Sequence, residues 1–263
     1  MPLAEQPRYE TPAGRPRTLL ARLSPWPELA LYAPVLAIVI RSRWQVARGR
    51  YDGDHWVASS KAILRALEGV GMRVTIEGME HLRGLDGPAV FVGNHMSTLE
   101  TFVLPAVIHP VRPVTFVVKA SLLRYPLFGP ILGSRNPIAV GRRNPREDLA
   151  TVFREGQERL ARGVSVIVFP QTTRSTRFDP GRFNSIGAKL AARAGVPLVP
   201  LALRTDAWGN GRRIKDFGPV RPGLPVRFRF GPPIPPDRKG TQAHRTCVAF
   251  LRETLAGWGV AVG

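Results

Sequence analysis

Residues 89–101 read AVFVGNHMSTLET, and this stretch joins the fold's building unit to its most concentrated chemistry. AVFVG carries no polar side chain, the mark of a strand buried on both faces. Asn94-His95 then opens a turn, and Ser97 or Thr98 can cap a helix running to about 108. The same alternation continues in both directions. Strand-type runs recur at 73–77 (RVTIE), 114–118 (VTFVV), 164–169 (VSVIVF), 197–203 (PLVPLAL) and 226–230 (VRFRF). Helix-like stretches lie near 57–70, 147–161, 184–194 and 241–257. Strands alternating with helices predict an α/β fold: a single mixed, mostly parallel sheet flanked by helices.

At 263 residues the chain is long enough for a substantial core, and 44% hydrophobic residues gathered in runs exclude a disordered chain. The lone Cys247 excludes a disulfide scaffold and any multi-cysteine metal centre. Five scattered histidines (55, 81, 95, 109, 244) lack metal-ligand spacing. Dinucleotide, Walker, serine-elbow and zincin motifs are missing from the sequence, so no metal and no cofactor are expected. The net charge of +19 calls for an anionic counterpart: nucleic acid, a membrane surface or a phosphate-bearing substrate. No recognisable nucleic-acid-binding pattern accompanies the charge, so nucleic acid is not an expected partner.

Residues 1–24, rich in Pro and Arg, read as a flexible basic arm. Within 25–56 comes LALYAPVLAIVI (29–40), twelve uncharged residues bracketed by Trp26 and Trp44 and flanked by Arg22, Arg41 and Arg43. A helical span needs about 20 apolar residues, so the segment is expected to lie in a membrane interface as an amphipathic/interfacial helical segment. Packing on the core is the alternative. An anionic membrane surface is the partner this reading names, and residues 57–263 form the main domain.

His95, placed at a strand's C-terminal end, would face the crevice in which α/β folds bind ligands. Its imidazole can take a proton from an attacking hydroxyl, and the Glu100 carboxylate can orient the ring. Ser97-x-x-Glu100 also reads as a capping box, a role that needs no catalysis and competes for the same carboxylate. After the strand at 164–169, Pro170 leads into Gln171, Thr172, Thr173, Arg174, Ser175, Thr176 and Arg177. Hydroxyls, an amide and guanidiniums there suit a phosphate; an ordinary polar loop is the alternative. From 101 to 146 there is no acidic residue, while Arg112, Lys119, Arg124, Arg135, Arg142, Arg143 and Arg146 are interleaved with apolar side chains. Such a surface suits an amphiphile with an anionic head.

Taken in order, GNHMSTLE, RYPLFGPILGSRNPIAVGRR, VIVFPQTTRST and GVPLVPLAL resemble the four blocks of the glycerolipid acyltransferase family, over roughly residues 70–205. The resemblance implies transfer of a fatty acyl group from an acyl-CoA or acyl-carrier-protein thioester to a lysophospholipid hydroxyl, foremost that of 1-acyl-sn-glycerol 3-phosphate. It implies His95 as base and Glu100 as its orienting carboxylate, with Asn94, Lys119, Arg142, Gln171, Thr172, Thr173 and Arg174 as substrate-binding residues. Residues 57–263 would then be the acyltransferase domain, working directly and without a covalent acyl-enzyme. The expected location is the cytoplasmic face of a bacterial inner membrane.

Two departures stand out. Glu100 replaces the family's Asp, and Gln171-Thr172 replaces its Glu-Gly. The second leaves an alternative open: a catalytically altered lipid-binding protein, or an acyltransferase for a different lipid alcohol.

Overall fold

Apolar runs become strands where the sequence places them. A computed structural model describes residues 6–171 and 173–263. Its strands are β1 (Tyr9–Glu10), β2 (Val74–Glu77), β3 (Val90–Gly93), β4 (Val114–Lys119), β5 (Ile138–Val140), β6 (Ser165–Val168), β7 (Leu198–Arg204) and β8 (Val226–Phe230). They form one sheet in the order β1-β2-β8-β7-β3-β6-β4-β5. Neighbours from β7 through β3, β6 and β4 to β5 are parallel, whereas β8 runs antiparallel to β7. The sheet is therefore mixed and mostly parallel, as expected.

The helices are α1 (Leu19–Leu23), α2 (Pro27–Ala47), α3 (Gly53–Gly69), α4 (Glu80–Arg83), α5 (Leu99–Ile108), α6 (Phe128–Gly133), α7 (Pro145–Ala161), α8 (Ile186–Ala194) and α9 (Thr241–Gly257). Side chains alternate across a strand, so β3 feeds two cores. Phe91 joins the cluster containing residues of α2, α3 and α5. Val90 and Val92 join the cluster built with α7, α8 and α9. Truncating a fully buried member such as Leu99 costs about 2–5 kcal/mol through lost transfer energy and the cavity left behind.

Because these five strands are parallel, their C-terminal ends share one edge. Gly93, Lys119, Val140, Val168 and Arg204 bring the following loops together there. Gly93 permits a close approach of β7 to the end of β3, since a Cβ on it would sit 2.7 Å from the Leu201 carbonyl oxygen.

The N-terminal segments depart from expectation. The described part of 1–24 is not a flexible arm: Tyr9 and Glu10 pair with Ile76 and Thr75, and the Thr18 N–H donates to the Gly69 carbonyl. Buried Glu68 anchors it, accepting from Tyr9 and Thr11 and pairing with Arg15 at 2.9 Å. Nor do residues 25–56 stand apart, because α2 packs on α3 and α6. Its Ala30, Leu31, Val35 and Ser42 are buried, while Leu29, Leu36, Ile40 and Trp44 are exposed. The outward face is thus apolar as well, so the helix is not amphipathic in the polar-against-apolar sense. Among the described residues no helix is long and apolar enough to cross a membrane.

Candidate active site

The turn after β3 presents His95 at the sheet's C-terminal edge, with its side chain 15% exposed and that of Glu100 fully buried. The ring lies flat on Phe169, with centroids 4.5 Å apart and planes 6° from parallel. His95 Nδ1 donates to Glu100 Oε1 at 2.8 Å. That fixes the tautomer and leaves Nε2 as the ring's acceptor nitrogen.

Glu100 fills both of the roles that the sequence set in competition. Oε1 accepts from His95 and from the Met96 and Ser97 N–H groups, and Oε2 from the Ser97 and Thr205 hydroxyls. A carboxylate has two oxygens and about four lone-pair directions, so one side chain can cap the helix start and orient the imidazole together. Burial alone would push the Glu100 carboxyl up. The hydrogen bond and charge of His95, with Thr205 and the Ser97 N–H, outweigh it and hold the group below its ordinary value.

Two residues assigned to substrate binding make hydrogen bonds that hold the scaffold. The Asn94 side chain is buried and exchanges two hydrogen bonds of 2.8 Å with the Leu203 backbone, tying β3 to β7. Gln171 Oε1 is also buried and accepts from the His95 N–H at 2.7 Å. The adjacent Ser175 N–H donates to the His95 carbonyl at 2.9 Å, so the two loops are zipped together. A Gln171 amide oxygen serves here as a carboxylate oxygen could, so replacing Glu by Gln at this place keeps the acceptor the turn requires. Thr173 is exposed and accepts from Lys215 Nζ at 3.1 Å. Thr172 lies outside the described residues.

One cation meets the imidazole directly. Arg174 Nε donates to His95 Nε2 at 3.4 Å. Arg142 follows β5 with φ 57°, in the left-handed region. Its N–H and that of Gly141 donate to the Asp148 carboxylate at 2.9 and 2.8 Å, which holds the turn. The Arg142 guanidinium is kept below its ordinary range by desolvation first, with repulsion from Arg174 in the same direction and Asp148 opposing, although the residue as a whole is exposed. That repulsion puts the two guanidiniums within electrostatic reach of each other. Lys119 is exposed at the end of β4 and in register with Val140, two residues before Arg142.

Three residues of the site carried no signal that the sequence reading used: Thr205, Asp148 and Asp216. Thr205 follows directly on β7, so the position of a strand's end could have pointed to it. Asp148 lies six residues after Arg142 in the first turn of α7, and Asp216 is brought in from the loop before β8. It pairs with Arg174 at 2.8 Å.

The whole is a buried carboxylate–imidazole pair with the Arg174 guanidinium beside its reactive nitrogen, a layout able to deprotonate a hydroxyl on an anionic molecule. A family model described as Acyltransferase matches residues 73–204. The chain is 32% identical over 237 residues to a 1-acyl-sn-glycerol-3-phosphate acyltransferase of Pseudomonas aeruginosa, covering 88% of this chain and 84% of that protein. It is 34% identical over 191 residues to a 1-acyl-sn-glycerol-3-phosphate acyltransferase of Chlamydomonas reinhardtii, covering 70% of this chain and 55% of that one. The crystal structure of a 1-acyl-sn-glycerophosphate acyltransferase from Thermotoga maritima superposes with a TM-score of 0.66 at 19% identity. That match covers 89% of this chain and 95% of the other, and shows likeness of fold.

Proposed function

The chain belongs to the acyltransferase family, and from that premise we propose that it transfers a fatty acyl group from an acyl thioester to the free hydroxyl of 1-acyl-sn-glycerol 3-phosphate. The observation that carries this reading is the His95–Glu100 pair at 2.8 Å with Arg174 against the ring's other nitrogen. His95 Nε2 takes the acceptor's hydroxyl proton as the oxygen attacks the thioester carbonyl. Glu100 stabilises the imidazolium so formed. The tetrahedral intermediate collapses with cleavage of the carbon–sulfur bond, and the proton passes from the imidazolium to the departing thiolate. An ester and a free thiol result. Arg142 and Arg174 hold the phosphate, whose planar forks suit its oxygens, and Lys119 adds charge at the same edge. The donor is an acyl-CoA or an acylated carrier protein.

The acceptor resides in a bilayer, so the site must reach one. Leu19, Leu20, Leu23, Trp26, Leu29, Leu36, Ile40 and Trp44 form exposed apolar surface on α1, the α1–α2 turn and α2. We place this surface in the interface of an anionic membrane, on the cytoplasmic leaflet of a bacterial inner membrane. Apolar insertion and arginine–headgroup attraction act together there, the latter contributing about 1 kcal/mol per basic residue.

The direct test supplies labelled acyl-CoA, and separately labelled acyl-carrier protein, with a panel of lysolipids. Incorporation should be fastest into the phosphomonoester acceptor. Equal or faster transfer to a lysolipid with a choline headgroup would overturn the assignment of acceptor.

A further inference from the structure

Arg174 does not stand free to meet a phosphate. Its side chain is 14% exposed and fully engaged on three sides. One terminal nitrogen donates to Asp216 Oδ1 at 2.8 Å, the other to the Thr98 hydroxyl at 3.0 Å, and Nε to His95 Nε2 at 3.4 Å. Thr98 donates in turn to the same Asp216 oxygen at 2.9 Å. With Nδ1–H committed to Glu100, Nε2 is the atom that must receive the acceptor's proton. A guanidinium N–H occupies it.

Asp216 is well placed to hold this arrangement and to release it. It belongs to the segment between β7 and β8 and its side chain is 29% exposed. Neighbouring Ile214 and Phe217 are each 57% exposed. Trp208 Nε1 donates to its carbonyl at 3.0 Å, and Tyr32 of α2 packs on Phe217 with centroids 5.2 Å apart. The carboxylate is thus tethered but borders solvent.

We propose that Asp216 is a positioning residue that keeps Arg174 over His95 until an anionic headgroup replaces it. This rests on His95 being the base and Arg174 the phosphate ligand. A phosphomonoester carries about −1.5 to −2 charges near neutral pH against −1 for a carboxylate, so it outcompetes Asp216 for the guanidinium. Arg174 then swings to the phosphate and uncovers Nε2 as the acceptor's hydroxyl arrives. Without an acceptor the base stays covered, and water is not activated against the thioester.

The test is Asp216→Asn, which keeps the size and an oxygen acceptor but removes the charge. A poorly hydrated guanidinium without its counterion is unfavourable, so Arg174 leaves the imidazole. Modification of His95 by diethyl pyrocarbonate, read on the His95 peptide by mass spectrometry, should accelerate roughly tenfold, the change that about 1.4 kcal/mol of latch gives. Acyl-CoA hydrolysis in the absence of acceptor should rise with it, and Asp216→Glu should restore both. A folded Asn variant with unchanged His95 reactivity would overturn the proposal. If that variant does not fold, the parent protein carries the test. Inorganic phosphate should speed His95 modification relative to sodium chloride of equal ionic strength, and no difference would overturn the latch. Failure of the parent to acylate lysophosphatidate would instead count against the proposed function, since histidine reactivity does not depend on the acceptor.

Discussion

Glu100 Oε1 sits 2.8 Å from His95 Nδ1, on a carboxylate wholly removed from solvent that also receives two backbone N–H groups and two hydroxyls. The ring's orientation and the start of α5 therefore depend on one side chain. Glu100→Gln separates those duties. The amide oxygen can face His95 and the N–H groups while its NH2 donates to Ser97 and Thr205, whose hydroxyls can turn to accept. The protein should fold, yet lose the charge that stabilises the imidazolium. We expect kcat to fall by about two to four orders of magnitude, with KM nearly unchanged, in steady-state transfer assays.

The same carboxylate makes stability depend on pH in a definite direction. Its folded-state value lies below the ordinary 4.5, so the ionised form is favoured by folding. Its contribution is complete above the unfolded value and is lost as pH falls through the lower folded one. Urea unfolding of parent and Glu100→Gln proteins should show a stability gap that is constant from neutral pH down to about 5 and then shrinks. A gap that widens on acidification would contradict this.

Arg142 separates backbone from side-chain effects, because its φ of 57° favours glycine. Arg142→Gly and Arg142→Ala both remove the guanidinium, and both should raise KM for lysophosphatidate to the same extent. The Gly variant should nevertheless be more stable than the Ala variant by about 1 kcal/mol, seen as a higher melting temperature. Equal stability would mean that Asp148 does not impose the left-handed turn.

Gln171 tests whether the unusual amide is a handicap. Gln171→Glu keeps an acceptor for the His95 N–H and should change activity little. Gln171→Leu strands that partly buried donor, which costs about 1 kcal/mol or more, and should lower both melting temperature and kcat. A large loss in the Glu variant would show that the amide itself is required.

The proposed membrane attachment is best probed where α2 faces outward. Leu31 and Val35 are core residues, so substituting them would report on folding. Leu29, Leu36 and Ile40 are exposed, and changing all three to Ser should leave melting unchanged. It should also cut co-sedimentation with anionic liposomes even at low salt, while high salt alone releases only part of the parent. Equal partitioning of parent and variant would remove the apolar contribution.

Much of this fold was legible because a strand buried on both faces has to be apolar throughout. Four of the five parallel strands (β3, β4, β6 and β7) are largely apolar runs of this kind, each matching its expected position within one or two residues. The three-residue β5 and two-residue β1 were not legible, since a segment that short displays no period. The anchor that holds β1 in place, Glu68, lies some sixty residues away in α3. At the site, His95 and Glu100 were visible because a strand end, a turn and a helix start are contiguous in sequence. Thr205 and Asp216 reach the site through tertiary packing, whereas Asp148 holds Arg142 from six residues along the chain in the first turn of α7, where an aspartate looks like any helix-start acid. Asn94 and Gln171 show what residue type alone does not: the Asn94 amide is bonded to the β7 backbone and the Gln171 amide oxygen to the His95 N–H.

The most direct measurement is transfer of labelled acyl groups from acyl-CoA to 1-acyl-sn-glycerol 3-phosphate by His95→Ala, beside the parent, with circular dichroism and liposome binding measured on both. Loss of a general base lowers turnover by about 10²–10⁴-fold. The expected result is a loss at the upper end of that range, with melting and membrane binding unchanged. Turnover comparable to the parent's in a folded His95→Ala protein would contradict the assignment of His95 as the base.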